Sequence, residues 1–534
     1  MKLIRLGLCM VLVVGIFVGC KSVVDVNEKE QGIQKEDVIK DDEIKDEETG
    51  GDGTVENNDG IMNAEIPYTL YQKPPIGWVG DTMPMTDANG VQIYYLQDWR
   101  DGAEGFHPIH KFSTKNFVDY SYDGEMVPLG ISSEPDLAIG TGSIILVDGV
   151  YHCFYTGHNY KFPNLGKNKE SVMHAISTDN VNWTKIPEDT FLAPEGYEIH
   201  DFRDPFVFFN EEEELYWMLM SARKEGVGGV VAKFVSKDLK VWEVDEPLYA
   251  PNSYFMLECA DLFKMGDYWY MIFSEFSHDK VTRYVMSKDI NGPFYAPEHD
   301  IFDGNAFYAA KSTEYEGKRY LVGWIPTKPG EKDSSKYEWA GNMSVVELKQ
   351  EEDGTLSALM PEQFYSYFDT DSGLSVIEES GDVKVEGDTI TFGANEEISY
   401  VDFGTIPDTM LVTAQVTFHQ GGRGAGFSLG VEEDFLKGFG IHLDPKENLL
   451  RYDAAMLERI RYANPNSKVH FSFDEGTTYD LKLVIEKDIA VLYMNDKVAL
   501  STRIYRMNEN KWGLFNIGGE VTFSNIEIKL PSKE

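Results

Sequence analysis

A seven-residue pattern, Ser-x-Asp-x-x-x-Trp, recurs in this chain at intervals that limit the folds available to it. It occurs as STDNVNW from Ser177 and as SKDLKVW from Ser236, and degenerate copies begin at Ser113 and Ser287. The four starts are 64, 59 and 51 residues apart. Each interval accommodates one four-stranded antiparallel sheet, and such a repeat is typical of β-propeller blades.

The segments between these repeats have the composition of short strands. GSIILVDGVYHCFYTG, ELYWMLMSA and DYWYMIFSE are rich in β-branched and aromatic residues and are bounded by Gly, Asp or Asn. The stretch from Ile76 to Pro361 has room for five units. We therefore predict an all-β fold with a five-bladed β-propeller over residues 63–365. An irregular β-sandwich is the alternative for this stretch.

The repeat stops near Gly373, and a different pattern follows. YDLKLVIEKDIAVLYMNDKVALS and GEVTFSNIEIKL alternate apolar and polar residues with a period of two, which indicates half-buried strands. We predict a separate β-sandwich over residues 373–534. Its hairpin around MNDK is expected to turn at Asn495 and Asp496.

The N-terminus resembles a bacterial lipoprotein signal. Lys2 and Arg5 precede an apolar run that is too short to span a bilayer, and the run ends in FVGC. We predict a signal peptide over residues 1–19, lipidation of Cys20 and anchoring of an extracytoplasmic, cell-surface protein. An ordinary signal peptide with an incidental Cys is the alternative. Residues 20–62 are acidic and are predicted to be a disordered linker.

Charge and cysteine content restrict the partners and the covalent links. The net charge of −42 makes nucleic acid and anionic membrane surfaces poor partners, so we expect membrane contact only through the lipid anchor. A neutral substrate remains compatible with this charge. Cys153 and Cys259 lie in apolar strand-like segments, and we predict two buried thiols, although a disulfide between them stays open.

Four acidic residues occur near the first predicted strand of different units: Asp81, Asp204, Glu258 and Asp303. The first strands of a propeller surround a central cavity, so we expect these side chains to converge there. Hydrolysis of a glycosidic bond requires a proton donor and a carboxylate facing the anomeric carbon. A third carboxylate offsets positive charge in the transition state, and clustering of the acids raises one pKa. These residues predict glycosidase chemistry.

Aromatic and histidine side chains near these carboxylates are candidates for substrate contacts. Trp78, Trp99 and Trp339 are candidates for stacking on sugar rings, and for each a place in the core is the alternative. His107 and His110 in HPIH have a spacing compatible with metal ligation but lack a third ligand, so we predict rim or subsite roles for them. We predict neither a metal nor an organic cofactor.

Several segments resemble the motifs of glycoside hydrolase family 32, the invertase and levanase family. FRDP and LEC are similar to its RDP and EC motifs, and the segments of blade 5 and of the C-terminal sandwich follow in the family's order. The resemblance implies that Asp204 stabilises the transition state and that Glu258 is the general acid/base. We expect Arg203 to orient Asp204 and the sugar by charge-assisted hydrogen bonds. Asp81 then stands at the nucleophile position. We expect Asp201 to lie in the loop before its strand.

The first motif departs from the family's WMNDPNG, because Gly80 replaces its Asn and Thr82 its Pro. The departures concern the lining of the substrate site and leave the substrate open, whereas the three carboxylates are retained. By the resemblance, Gln97 helps to position the nucleophile and the sugar. The predicted substrate-binding residues are Trp78, Gln97, Thr141, Ser143, Arg203, Asp303 and Trp339.

The resemblance implies a retaining β-fructofuranosidase that cleaves sucrose or fructans such as levan, inulin and fructo-oligosaccharides. Retention requires the carboxyl groups of Asp81 and Glu258 to lie about 5–5.5 Å apart. One alternative is an inverting five-bladed glycosidase that debranches arabinan or xylan, with its carboxyl groups about 6.5–9.5 Å apart. The C-terminal segment argues against it. Another alternative is a cell-surface glycan-binding protein without catalysis, against which the three retained carboxylates argue.

Overall fold

The computed structural model describes residues 68–394, 398–419, 421–462, 465–507 and 509–532. The predicted signal peptide, Cys20 and the acidic linker lie outside these described residues. Within them, no helix combines the length and the apolar character that crossing a bilayer requires.

The first half consists of five consecutive antiparallel sheets. They contain β1 (Trp78–Asp87), β2 (Gly90–Asp98), β3 (Ile109–Thr114) and β4 (Tyr120–Val127); β5 (Ala138–Val147), β6 (Val150–His158), β7 (Glu170–Ser177) and β8 (Thr184–Lys185); β9 (Tyr197–Asn210), β10 (Leu215–Lys224), β11 (Gly228–Ser236) and β12 (Glu243–Val244); β13 (Leu257–Met265), β14 (Tyr268–Glu275) and β15 (Thr282–Ser287); β16 (Tyr308–Tyr315), β17 (Lys318–Pro326), β18 (Gly341–Gln350) and β19 (Leu356–Leu359). The sheets are numbered blades 1 to 5 in this order.

The five blades close into a ring through their first strands. These strands contact one another in the order β1, β5, β9, β13 and β16, and β16 contacts β1 again. Blades 5 and 1 are also joined by the pairing of Val79 with Gly341. This arrangement is a five-bladed β-propeller and confirms the predicted fold class.

The recurring Ser-x-Asp pattern forms the turn that leaves the third strand of a blade. Ser177 and Ser236 end β7 and β11, and the Asp that follows each of them caps a turn. Asp179 accepts the N–H groups of Val181 and Asn182 at 2.9 and 2.8 Å. The carboxylate of Asp238 accepts two N–H groups in the same way. The pattern recurs because Asp satisfies backbone donors in this turn, as Asx turns do.

The second half begins with a short helix, α1 (Phe364–Tyr367), and continues as strands. These are β20 (Phe368–Asp371), β21 (Glu378–Ser380), β22 (Val383–Glu386), β23 (Thr389–Phe392), β24 (Ser399–Thr405), β25 (Thr409–Phe418), β26 (Ala425–Val431), β27 (Phe439–Asp444), β28 (Leu449–Met456), β29 (Ser467–His470), β30 (Thr478–Glu486), β31 (Ile489–Met494), β32 (Val498–Arg503), β33 (Lys511–Asn516) and β34 (Val521–Pro531). Short 3₁₀ turns cover Phe162–Leu165, Pro187–Asp189, Pro329–Glu331, Phe435–Lys437, Leu457–Tyr462 and Tyr505–Met507.

These strands form the predicted β-sandwich. One sheet has the order β22-β23-β34-β25-β30-β31-β32, with β20 beside β34, and the other has the order β21-β24-β33-β26-β27-β28-β29. Their facing side chains pack into one apolar core. The hairpin between β31 and β32 turns at Asn495 and Asp496, whose φ angles are 52° and 49°. Because β20 pairs with β34, the first sandwich strand precedes the predicted boundary at residue 373.

The sandwich and the propeller share buried contacts. Val484, Val491 and Tyr493 of the sandwich belong to the same apolar cluster as side chains of blades 1, 4 and 5. The fully buried guanidinium of Arg503 donates to the carbonyl oxygen of Pro326 at 2.9 Å and to the side-chain oxygen of Asn342 at 2.5 Å. These contacts position the propeller rim against the sandwich.

We expect Arg503→Met to lower the free energy of unfolding by about 3–5 kcal/mol, because it removes the cation that pairs with the partly buried carboxylate of Asp488 and the donor to the side-chain oxygen of Asn342. Urea unfolding followed by tryptophan fluorescence measures the change. Lys384→Met is the control, since the Lys384 side chain is 67% exposed and its loss is expected to change stability by less than about 0.5 kcal/mol. Equal effects of the two substitutions would contradict the assigned role of Arg503.

Candidate active site

Each first strand of the propeller carries a β-bulge. The bulges fall at Gly80-Asp81, Thr141, Asp204-Pro205, Cys259-Ala260 and Ala309-Ala310, where pairing with the second strand shifts register. Asp204, Cys259 and Ala309 have φ angles of 59°, 55° and 51°. A bulge bends the strand and redirects its side chains. Here the bulges bring residues of five separate blades to one place.

Asp81 is held by donors from two neighbouring blades. The Thr141 hydroxyl donates to Oδ2 at 2.6 Å, and the Trp324 indole N–H donates to Oδ1 at 3.1 Å. Burial raises the pKa of Asp81, and the negative charge of Asp204 adds to this, whereas the two hydrogen bonds oppose it. Both oxygens are therefore fixed in direction, as a nucleophilic carboxylate requires.

Glu258 lies between a cation and a phenol. Arg203 donates to Oε1 at 3.0 Å, and the Tyr308 hydroxyl donates to Oε2 at 2.8 Å. Burial raises the pKa of Glu258 to about 7; the charges of Asp204 and Asp81 contribute, while Arg203 and Tyr308 oppose them. A carboxyl group with this pKa exists in both protonation states near neutral pH, so it is able to donate and to accept a proton.

Asp204 connects blade 3 to blade 4. Its Oδ2 accepts the backbone N–H of Cys259 at 3.0 Å, and its own N–H donates to the Thr156 hydroxyl at 2.8 Å. Its side chain is buried, and its charge raises the pKa values of both Asp81 and Glu258. The structure therefore places the three predicted carboxylates within electrostatic reach of one another.

Two supporting residues were missed in the sequence analysis. Glu170 accepts the Phe202 N–H at 2.8 Å and lies 3.3 Å from Nη1 of Arg203. Burial alone would raise the pKa of Glu170, but Arg203, His158 and Lys169 hold it at about 2.

The second residue that the sequence did not reveal is Tyr308, which donates to Glu258. It immediately precedes a bulge, as Arg203 and Glu258 do, so alignment of the first strands would have identified it.

Three predicted substrate-binding residues have other partners. Both oxygens of Asp303 accept hydrogen bonds from Ser501 of the sandwich, so Asp303 joins the two halves of the protein. The Ser143 hydroxyl accepts the Val207 N–H at 2.9 Å and links blades 2 and 3. The amide of Gln97 donates to the carbonyl of Ile76 at 2.7 Å and accepts from Tyr95.

The three tryptophans predicted to stack on sugars occupy different environments. Trp78 lies against cations, with the ammonium nitrogen of Lys73 4.0 Å from its ring centre. Trp99 packs edge-on against His110. Trp339 reaches the residue before Asp81: a Cβ atom on Gly80 would lie 2.3 Å from its ring. The ring of Trp339 therefore lies beside the backbone that carries Asp81.

Other sequence predictions have clear outcomes. Asp201 lies within β9 and pairs with Arg203 and Arg223, so its predicted place in a preceding loop is wrong. His107 and His110 point to different partners, since His107 stacks on Trp339 and His110 bonds the Tyr122 hydroxyl at 2.8 Å. The two remaining thiols, Cys153 and Cys259, are buried and free, as predicted.

Two curated proteins with similar sequences align with different shares of this chain. Sucrose-6-phosphate hydrolase of Escherichia coli is 26% identical over 55% of the chain, and the chain spans 64% of that relative, less than two thirds. The levanbiose-producing levanase of Bacillus subtilis (strain 168) is 22% identical over 85% of the chain and 89% of its own length.

Solved structures share the whole two-part fold. Sucrose-6-phosphate hydrolase from Lactobacillus gasseri superposes with a TM-score of 0.67 at 19% identity, covering 88% of this chain and 93% of its own. Fructan 1-exohydrolase IIa from Cichorium intybus has a TM-score of 0.67 at 16% identity, covering 87% of this chain and 97% of its own. These similarities support the assignment of a propeller followed by a sandwich.

Two family models together match most of the described chain. The model "Glycosyl hydrolases family 32 N-terminal domain" matches residues 72–358, and "GH32, BT1760-like, C-terminal domain" matches residues 365–528. The first match spans the propeller with its three carboxylates, and the second spans most of the sandwich. The chain belongs to glycosyl hydrolase family 32.

Proposed function

We propose that this protein is a retaining β-fructofuranosidase that hydrolyses fructose-containing oligosaccharides or polysaccharides. The observation that carries the proposal is the division of work between two carboxyl groups. Asp81 is fixed by Thr141 and Trp324, while Glu258 has its pKa raised to about 7 by burial. One group is suited to attack and the other to proton transfer.

In the proposed mechanism, the substrate's terminal or internal fructosyl unit lies between Asp81 and Glu258. A carboxylate oxygen of Asp81 attacks the anomeric carbon while protonated Glu258 gives its proton to the leaving oxygen. The glycosidic C–O bond breaks and a fructosyl ester forms on Asp81. Glu258, now ionised, takes a proton from water, whose oxygen displaces Asp81 and restores both groups.

Asp204 and Arg203 act in this mechanism through charge and position. The negative charge of Asp204 favours the oxocarbenium-like transition state, and its carboxylate is available to sugar hydroxyls on the oxygen that does not accept the Cys259 N–H. Arg203 holds Oε1 of Glu258 at 3.0 Å, and Glu170 holds Arg203. The proton donor is thereby kept in one orientation before the substrate binds.

We expect Asp81→Asn and Glu258→Gln each to lower hydrolysis at least about 10²–10⁴-fold, because each removes a group that makes or breaks a bond. The assay is release of fructose or short oligosaccharides from sucrose, inulin, levan and fructo-oligosaccharides, followed by chromatography. Asp371→Asn and Glu246→Gln are the matched controls at exposed positions. Hydrolysis that persists in Asp81→Asn would contradict the assignment of Asp81 as the nucleophile.

The stereochemistry of transfer distinguishes this proposal from an inverting glycosidase. With methanol as acceptor, a retaining enzyme forms the β-methyl fructofuranoside, and an inverting enzyme does not. Absence of product from every fructose-containing substrate would instead favour a glycan-binding protein that lacks catalysis.

We expect kcat/KM to fall as pH rises through about 7, since the first step requires protonated Glu258. The Tyr308 hydroxyl bonds the carboxylate and opposes the rise of its pKa. In Tyr308→Phe this stabilisation of the charged form is lost, so the pKa of Glu258 rises and the alkaline limb moves to higher pH. Measured kcat/KM–pH profiles test this, and a limb that stays in place or moves to lower pH would contradict it.

We also propose that lipid on Cys20 anchors the protein at the cell surface, which is supported by the FVGC sequence after an apolar run. We expect Cys20→Ser to move the expressed protein from the detergent phase to the aqueous phase on Triton X-114 partitioning. Cys9→Ser is the matched control, because Cys9 lies in the segment that is removed. Aqueous partitioning of the unaltered protein would contradict lipidation.

A further inference from the structure

Four aromatic side chains form a continuous series that we call the aromatic path: Trp339, His107, Phe106 and Tyr160. The rings of Trp339 and His107 stack with centroids 4.2 Å apart. Phe106 meets His107 edge-on at 4.7 Å and lies parallel to Tyr160 at 6.2 Å. The members come from three different loops, so their alignment is a product of the fold.

The aromatic path lies at the catalytic end of the propeller. Within each blade, the end of the second strand pairs with the beginning of the first, as Asp98 does with Trp78 and His158 with Ala138. The loops that follow these second strands, at 99–108, 159–169 and 327–340, therefore surround the bulges that carry Asp81 and Thr141. All four rings of the path belong to these three loops.

Trp324 connects one end of the aromatic path to Asp81, and the other end is exposed to solvent. Trp324 donates to Asp81, and its ring meets Trp339 at 6.1 Å. Trp339, His107 and Phe106 are half-buried, and the side chain of Tyr160 is 39% exposed. The exposed aromatic surface is therefore continuous with the active site.

Polar contacts fix the loops that carry the path. Arg100 donates to the carbonyl oxygen of Trp339 at 2.7 Å and to the carboxylate of Asp98 at 2.8 Å, so it joins two of the loops. The Tyr160 hydroxyl donates to the carbonyl oxygen of Glu104 at 3.1 Å and joins the third. A surface held in this way loses little conformational freedom when a ligand binds.

We propose that the aromatic path binds fructosyl units of a fructan beyond those in the catalytic cavity, so that the enzyme prefers long fructans to sucrose. This inference rests on the proposed function. Aromatic rings offer apolar faces to the C–H surfaces of a sugar, and their polar edges remain available for hydrogen bonds. Burial lowers the pKa of His107 to about 3, so this ring stays uncharged, as suits a neutral ligand.

The test compares Tyr160→Ala with Tyr295→Ala, a tyrosine that is 51% exposed and lies beyond the end of β15, the end remote from Glu258. For each variant, kcat/KM is measured on levan, on inulin and on sucrose. We expect Tyr160→Ala to lower the ratio of fructan to sucrose kcat/KM about fivefold, the size of one lost aromatic contact, and Tyr295→Ala to leave the ratio unchanged. A ratio unchanged in Tyr160→Ala on both polymers would overturn the proposal.

Binding without turnover separates this inference from the proposed function. In the Asp81→Asn background, retardation in gels that contain levan or inulin reports binding alone. We expect Tyr160→Ala to weaken the retardation by the same factor as above. If the unaltered protein hydrolyses neither sucrose nor any fructan, the proposed function is wrong. If gel retardation is equally strong with Tyr160 and with Ala at this position, the proposed role of the aromatic path is wrong, whatever the outcome for hydrolysis.

Discussion

The active site depends on how the propeller satisfies the backbone N–H groups that its bulges leave unpaired. In blades 3, 4 and 5 the bulged residue has a positive φ, and its N–H is accepted by a side chain of the preceding blade. Thr156 accepts from Asp204, Asp204 from Cys259, and Ser274 from Ala309. A buried N–H without a partner is costly, so these three bonds set the register between neighbouring blades. The residues immediately before the bulges, Arg203, Glu258 and Tyr308, are then placed side by side.

In this arrangement Asp204 has a structural role in addition to its electrostatic one. Its carboxylate accepts the Cys259 N–H, and Cys259 follows Glu258, so the position of Glu258, the proposed proton donor, depends on Asp204. In the proposed mechanism, removing the carboxylate alters both transition-state stabilisation and the geometry of Glu258. Loss of activity on substitution of Asp204 reports the two effects together, whereas Asp81 and Glu258 accept no backbone N–H bond within the described residues.

The sequence was sufficient to predict the fold and the convergence of Asp81, Asp204 and Glu258, because both leave local signals. The Ser-x-Asp turns recur at blade intervals, and the RDP and EC segments are short and contiguous. The hydrogen-bond partners of Asp303 and Ser143 could not be predicted, since each lies far along the chain. Asp303 occurs in a segment that resembles the family, yet its partner, Ser501, lies in the other half of the molecule. Strand patterns also do not show bulge register, which is what brings Tyr308 to Glu258.

The departure of the first motif from the family pattern follows from the packing around it. A side chain at Gly80 would meet the ring of Trp339 at 2.3 Å and the carbonyl oxygen of Leu96 at 3.0 Å, so the family's Asn is incompatible with this position of Trp339. Thr82, in place of the family's Pro, uses its hydroxyl to bond the carbonyl of Val322 at 2.6 Å and ties blade 1 to blade 5. Gly80 and Trp339 thus depend on each other. Their joint effect is to bring an aromatic ring close to Asp81 while the donors to its carboxylate, Thr141 and Trp324, remain in place. The departure from the family motif therefore changes the surroundings of Asp81, whereas the hydrogen bonds to its carboxylate are kept.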